Sequence, residues 1–308
     1  MIYTVTLNPA VDRTIELDGI KLGDLNRVKS TRLDAGGKGI NVSRVIHSLN
    51  GESIALGFLG GKNGGYILNE IKEMGISEEF IRIKDSTRMN IKALDTQTQQ
   101  VTEFNEQGPF IQESELKELK ILLAKKVKKE DFIVFSGSVP QNLSNSIYRN
   151  LIEVVPEGAK VILDAAGSVL QEGIKVNPYL IKPNFHEFCR LTDIKSEEIS
   201  ELLKAANHLK RKGPQTILLS MGEKGALYFG LGENFKIKPI DVEVKSTIGA
   251  GDALIAGFTY ALFKNCSLQQ ALIKATACAA ASISMEGTQP GSRNLVKSLE
   301  SKVQIEKI

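Results

Sequence analysis

Short β-branched runs alternate along this chain with segments whose apolar positions recur every three to four residues. The first kind comprises "IYTVTL" (2–7), "SIALGFLG" (53–60), "DFIVFSG" (131–137), "KVILDA" (160–165), "YLIKPN" (179–184) and "TILLSMG" (216–222). Their near-continuous apolar character is that of strands covered on both faces. Between them lie "NVSRVIHSL" (41–49), "GYILNEIKEMG" (65–75), "ESELKELKILLAKKV" (113–127), "NSIYRNLIEVV" (145–155) and "EEISELLKAANHLKRKG" (197–213), each with helical spacing. The repeated strand-helix-strand order predicts an α/β fold, a mainly parallel sheet with helices on both faces. Most strands close on Gly, Asn, Asp or Ser, so polar ends line up along the edge where such sheets hold ligands.

Two segments break the rhythm. Residues 13–34 and 88–107 alternate like strands, carry polar turns and contain no helical pattern. They are expected to pair into a small antiparallel flap over the sheet edge. Near the C-terminus, "GDALIAGFTYALF" (251–263) and "SLQQALIKATACAAASIS" (267–284) are apolar nearly all round, which predicts two buried helices.

Composition changes this picture only by exclusion. A chain of 308 residues without a linker or repeat reads as a single domain over 1–308. A net charge of +3 makes no case for nucleic acid or membrane as partner. Three cysteines without C-x-x-C spacing exclude a disulfide framework and fit a reducing cytosol. The opening "MIYTVTL" has no basic n-region and no run reaches 18 apolar residues, so a cytoplasmic protein is expected.

The chemistry also begins with exclusions. There is no G-x-x-x-x-G-K-[ST], and "GAGDAL" is neither a dinucleotide fingerprint nor placed after the first strand. His47, His186 and His208 lack metal-ligand spacing.

What remains is "KSTIGAGDALIAGF" (245–258). Gly249, Ala250 and Gly251 are small enough for backbone N–H groups to converge, and the following helix adds its free N–H groups and positive end. Together they predict an anion hole. Asp252 is either the N-cap of that helix or a general base beside the hole. Such a pair suits phosphoryl transfer, in which N–H donors stabilise the charged transition state and a carboxylate takes the acceptor's proton.

Other segments carry weaker signals. In "DAGGKGINVSRVI" (34–46), Lys38 lies among Gly36, Gly37 and Gly39 near the positive end of a helix, which is unfavourable unless an anion joins it. Asn41 either caps that helix or bonds a sugar hydroxyl. In "KPNFHE" (182–187), Asn184 and Glu187 have the spacing of a capping box and equally offer oxygens to Mg²⁺ and its waters. "LSMGEKGALYF" (219–229) predicts a strand, a Gly turn and a strand. Ser136 and Ser138 sit at a strand end, Asp12 follows the first strand, and Arg88, Asn90 and Lys92 share one face of a flap strand.

Taken in order, "NPAVD", "AGGKGINVSRVIHSLNGESIALGFLG", "SGSVP", "KPNFHE", "SMGEKG" and "STIGAGDA" resemble the landmarks of the ribokinase-like sugar kinases, the phosphofructokinase-B family. The resemblance spans essentially the whole chain. It implies a three-layer α/β/α sandwich with a β lid, ATP as phosphoryl donor, Mg²⁺ as activator and a monovalent cation as a further cofactor. It makes Asp252 the base, with Gly249, Ala250 and Gly251 as the anion hole. Lys182, Asn184, Ser220, Gly222, Glu223, Gly225 and Thr247 fall near the nucleotide, and Asn184 and Glu187 near Mg²⁺. Asp12, Gly36, Gly37 and Asn41 would hold sugar hydroxyls. Lys38 and Arg88, with Asn90, Lys92 and Ser138, would hold a phosphate already on the substrate.

Many members begin the second signature with Asp-Thr, where this chain has Ser246-Thr247. That departure is expected in the branch acting on phosphorylated ketohexoses, which also carries an N-terminal "TLNPxxD". The implied acceptor is fructose 1-phosphate, phosphorylated on its C6 hydroxyl, with tagatose 6-phosphate as the alternative. A non-catalytic sugar-phosphate sensor on the same fold is the rival from another class. The exposed edge of the flap implies a homodimer formed through it.

Overall fold

The computed structural model describes residues 1–98 and 100–308, and Gln99, within the second flap segment, lies outside them. Edge to edge, the main path of the large sheet runs Ile305–Lys307, Asn234–Ile237, Ala226–Phe229, Thr216–Ser220, Leu180–Ile181, Lys160–Asp164, Phe132–Ser136, Ile2–Thr6, Ile54–Gly60 and Ser77–Glu78. The seven strands from Thr216–Ser220 to Ser77–Glu78 pair in parallel. The three at the other edge are antiparallel.

Alternation along the strands explains why the sheet is covered twice. In Phe132–Ser136, Ile133 and Phe135 enter one apolar layer while Phe132 and Val134 enter the other. The first layer holds Leu119, Leu151, Phe188 and Leu202 from helices Glu113–Lys126, Ile147–Ile152, Phe185–Thr192 and Ile199–Lys210. The second holds Val45, Ile255, Leu272 and Val296 from Lys38–Ser48, Ala250–Phe263, Leu268–Ile283 and Arg293–Glu300. Burying both faces stabilises the parallel strands, which cannot leave one side wet. The chain is thus an α/β/α sandwich with a mainly parallel sheet, as its alternation predicts.

The two irregular segments form a separate four-stranded sheet, ordered Ser30–Gly36, Ala10–Leu17, Arg88–Asp95 and Val101–Asn105. Here the expected antiparallel flap is corrected at its centre. Each segment forms an antiparallel hairpin, but Ala10–Leu17 and Arg88–Asp95 pair in parallel. The reason lies in the large sheet: these inner strands continue from Ile2–Thr6 and from Ile54–Gly60 with its partner Ile81–Ile83, which are themselves parallel. Both enter the small sheet from the same side and run the same way.

Helices Gly167–Gly173 and Arg293–Glu300 and the edge strand Ile305–Lys307 were not expected from the pattern. Each is eight residues or fewer, too short for a periodic signal. Among the described residues no helix is long and apolar enough to cross a membrane.

Candidate active site

The C-terminal ends of the central strands, the small sheet and the start of helix Ala250–Phe263 enclose a cavity of about 540 Å³. A second concavity of about 350 Å³ lies between His47 and Ser77, at the N-terminal ends of the strands. Parallel sheets hold ligands at the opposite edge, where Asp12, Lys38, Arg88, Lys92 and Asp252 line the first cavity.

Helix Ala250–Phe263 starts from Gly249, whose φ of 83° is a left-handed conformation that glycine adopts without strain. Gly251 lets the Lys182 ammonium come close: a Cβ there would stand 3.1 Å from it. Among the described hydrogen bonds, none uses the backbone N–H of Gly251 or Asp252, as expected in a helical first turn. These donors and the helix's positive end face the cavity through Gly249, Gly251 and Asp252.

Asp252 is not the N-cap. It lies in the first turn, makes no capping bond, and is buried with 5% exposure. Its Oδ2 instead accepts a 2.8 Å hydrogen bond from Asn41 Nδ2. Burial pushes the Asp252 carboxyl up to about 6, and Asp164 adds to the rise, against the opposing pull of Lys38, Asn41 and Lys182. A carboxylate poised there holds a proton acceptor ready near neutral pH.

Lys38 begins helix Lys38–Ser48, the end where a cation is disfavoured. The anion that joins it is Asp164, whose Oδ2 lies 3.1 Å from Lys38 Nζ. Lys182 Nζ lies 3.3 Å from the other oxygen, Oδ1. Asp164 raises the pKa of Lys38 above the ordinary lysine range. Burial alone would raise the pKa of Asp164, but Lys182 and Lys38 outweigh it and hold the carboxyl below its ordinary value. Sequence reasoning missed Asp164 as a site residue, although its place at the end of the predicted strand "KVILDA" was the available signal.

On the small sheet, Asp12 accepts from Asn90 at 3.0 Å and from Lys92 at 2.8 Å. It caps no turn, and Gly36 pairs across the sheet with Ala10. Arg88 donates to the Glu106 and Asn8 carbonyls at 2.8 and 3.0 Å and to Ser138 Oγ at 3.3 Å. It takes part in none of the described ion pairs, unlike Lys38 and Lys92. Among the described residues, the buried oxygens of Asn8, Asn41 and Asn90 find no hydrogen-bond partner, although all three residues line the cavity. Gly37 and Ser138 line it too, together with Glu103, Asn105 and Thr288, which sequence reasoning did not single out. Thr288 packs against Gly249 from a distant loop that offers no local signal.

The remaining predicted residues lie outside the cavity lining. Asn184 and Glu187 form a reciprocal capping box on helix Phe185–Thr192, each backbone N–H donating to the other's side chain at 2.8 Å. A single β-bridge joins Asn184 to Ser220. Gly222 and Glu223 form a short helical turn closed by Gly225, with φ of 88°. Thr247 is exposed just before Gly249.

The pfkB family carbohydrate kinase model matches residues 5–295. The chain belongs to that family and is a phosphotransferase of the carbohydrate kinase class. It is 41% identical over 271 residues to 1-phosphofructokinase of Borreliella burgdorferi, covering 87% of each chain. It is also 37% identical over 281 residues to tagatose-6-phosphate kinase of Staphylococcus epidermidis, covering 90% of each. The crystal structure of Escherichia coli phosphofructokinase-2 in complex with potassium superposes with a TM-score of 0.92 at 26% identity, covering 98% of each chain. Carbohydrate kinases of this family imply ATP as co-substrate, with Mg²⁺ typical.

Proposed function

We propose that this chain is an ATP-dependent kinase of a ketohexose phosphate, transferring the γ-phosphoryl group to the C6 hydroxyl of fructose 1-phosphate to give fructose 1,6-bisphosphate and ADP. One observation carries it: a single cavity has on its small-sheet wall a cation, Arg88, that joins none of the described ion pairs, and on its helix wall a poised carboxylate beside a glycine turn, Asp252. A substrate that already bears one phosphate and receives a second fits such a cavity.

Arg88, with Ser138, binds the resident phosphate through charge-assisted bonds, while Lys38, held by Asp164, lies at the transfer end of the cavity. Asp12 and the unpartnered oxygens of Asn8, Asn41 and Asn90 accept from sugar hydroxyls. Asn41 fixes Oδ2 of Asp252, leaving Oδ1 to take the C6 hydroxyl proton as that oxygen attacks phosphorus. The Gly251 and Asp252 N–H groups stabilise the charge on the transferred group. The nucleotide runs along the strand ends past Lys182, Asn184, Thr247 and the Ser220–Gly225 turn. Asn184 and Glu187 fit Mg²⁺ held through its waters, since the capping box commits Oε2 of Glu187 and leaves its other carboxylate oxygen as a hard donor. Bound Mg²⁺ would neutralise phosphate charge. A monovalent cation belongs to the same proposal, supported by the potassium of the E. coli neighbour. The cytoplasm is the proposed location.

The four-stranded sheet serves as the lid and as the dimer contact. Its face away from the cavity bears Leu33, Ile91 and Phe104, which are 41, 36 and 60% exposed. Paired neighbours Ile91 and Phe104 lie side by side there, an apolar edge that a second copy would cover. Phe104→Asp is expected to give a monomer by analytical ultracentrifugation, and an unchanged dimer would exclude this surface.

ATP consumption measured side by side with fructose 1-phosphate, tagatose 6-phosphate and fructose 6-phosphate tests the substrate. The highest kcat/KM is expected with fructose 1-phosphate. Preference for tagatose 6-phosphate would reassign the chain to the activity of the S. epidermidis relative, and no turnover with any of them would favour a sensor.

A further inference from the structure

Four ionisable side chains from four distant parts of the chain meet behind the Gly249–Gly251 turn. Asp164 comes from the middle of the sheet, Lys38 from a helix start, Lys182 from beyond the next strand and Asp252 from the late helix. Asp164 is 1% exposed, and its two oxygens are divided, one to each lysine. Lys182 is itself buried, with its ammonium against Gly251. A carboxylate in so dry a place is costly unless both oxygens are satisfied, and the two ion pairs meet that need. Its partners lie 126 residues upstream and 18 downstream, so no local helix or turn requires this pairing.

We propose that Asp164 is the positioning residue of the phosphoryl-transfer centre, clamping Lys38 and Lys182 beside the glycine turn and cancelling one of their two charges. The proposal rests on the kinase reading for its role and on this geometry for its existence. Without Asp164 two ammonium groups would face Asp252 alone and make it a weaker base. With it, the group of four is neutral when Asp252 is ionised, and the lysines remain aimed at an incoming phosphate. Fixed donors of this kind act without reorganising during the reaction.

Charge cancellation predicts opposite effects from removing opposite partners. The charged or polar groups acting on Asp252 are Lys38, Asp164, Lys182 and Asn41. In Asp164→Asn the carboxyl of Asp252 should titrate lower by about one pH unit or more. In Lys182→Met it should titrate higher, and in the double variant it should return towards the wild-type position. Carbon-13 NMR titration of the free protein reads this directly, without substrate. The double variant leaves no buried charge of this pair unpaired, so it also serves if Asp164→Asn folds poorly. The acidic limb of the kcat profile should move with the titration, and kcat of Asp164→Asn should fall about a hundredfold, the scale of a misplaced group.

An Asp252 titration that does not move in the single variants would overturn the proposal. So would a loss in Asp164→Asn that saturating Mg²⁺ restores, which would make Asp164 a metal-directed residue instead. If the NMR shifts appear but the wild type phosphorylates no sugar phosphate, the kinase reading fails while the clamp stands.

Discussion

Asp252→Asn is expected to lower kcat about a thousandfold or more, with the Michaelis constant for the sugar phosphate little changed. The amide keeps the shape of the carboxyl and can accept from Asn41 through its oxygen, but it takes no proton from the attacking hydroxyl. Because only the transition state needs that proton transfer, the loss should appear in kcat and not in substrate binding. Steady-state kinetics with saturating ATP checks this, and near-normal turnover would remove Asp252 from the role of base. In the wild type, kcat should fall as pH drops below about 6, where burial places the Asp252 carboxyl.

The same shift has a stability consequence of definite sign. The folded-state value of Asp252 lies above the ordinary aspartate value of 3.8, so ionising it in the folded protein is unfavourable. Its relative stabilisation is present below about pH 4 and is lost as pH rises through about 6. The lost amount is on the order of 3 kcal/mol for a shift of this size. Asp252→Asn should therefore melt higher than the wild type at pH 8, with the gap closing towards pH 4. A variant that loses its activity and gains stability is the signature of a functional buried charge.

Arg88→Ala is the second large effect. The Michaelis constant for fructose 1-phosphate should rise about ten- to a hundredfold, the scale of one or two lost hydrogen bonds to a charged group. The Michaelis constant for ATP and kcat should change far less. Arg88 is singled out among the cavity's cations because it takes part in none of the described ion pairs. Lys92 is 2.8 Å from Asp12 and Lys38 is 3.1 Å from Asp164, so their charges are largely offset before substrate arrives. Arg88 is also held in place by the Asn8 and Glu106 carbonyls, which orients its guanidinium without an ion pair among the described residues. An unchanged Michaelis constant would take Arg88 out of the phosphate site.

The candidate site was legible to different depths in the sequence. The glycine turn and Asp252 are contiguous, so their chemistry could be read from "GAGDAL" itself. The choice between cap and base could not, because it turns on Asn41, 211 residues away. Lys38 posed a question at a helix start that only Asp164 answers. For Asn184 and Glu187 the capping-box spacing was a local signal, and the local bond is what forms. Arg88, Asn90 and Lys92 were assigned one face by strand alternation, and all three line the cavity.

The sequence by itself determined the alternation of strand and helix, the double burial of the sheet and the two glycine-rich helix starts. These depend on periodicity and on conformations within a few residues, which each segment carries with it. Tertiary structure alone decided the parallel pairing inside the lid, the partners of Asp164 and the burial that tunes Asp252. Those depend on which distant segments the crossovers bring together, and an ion pair or a desolvated carboxyl exists only once they have met.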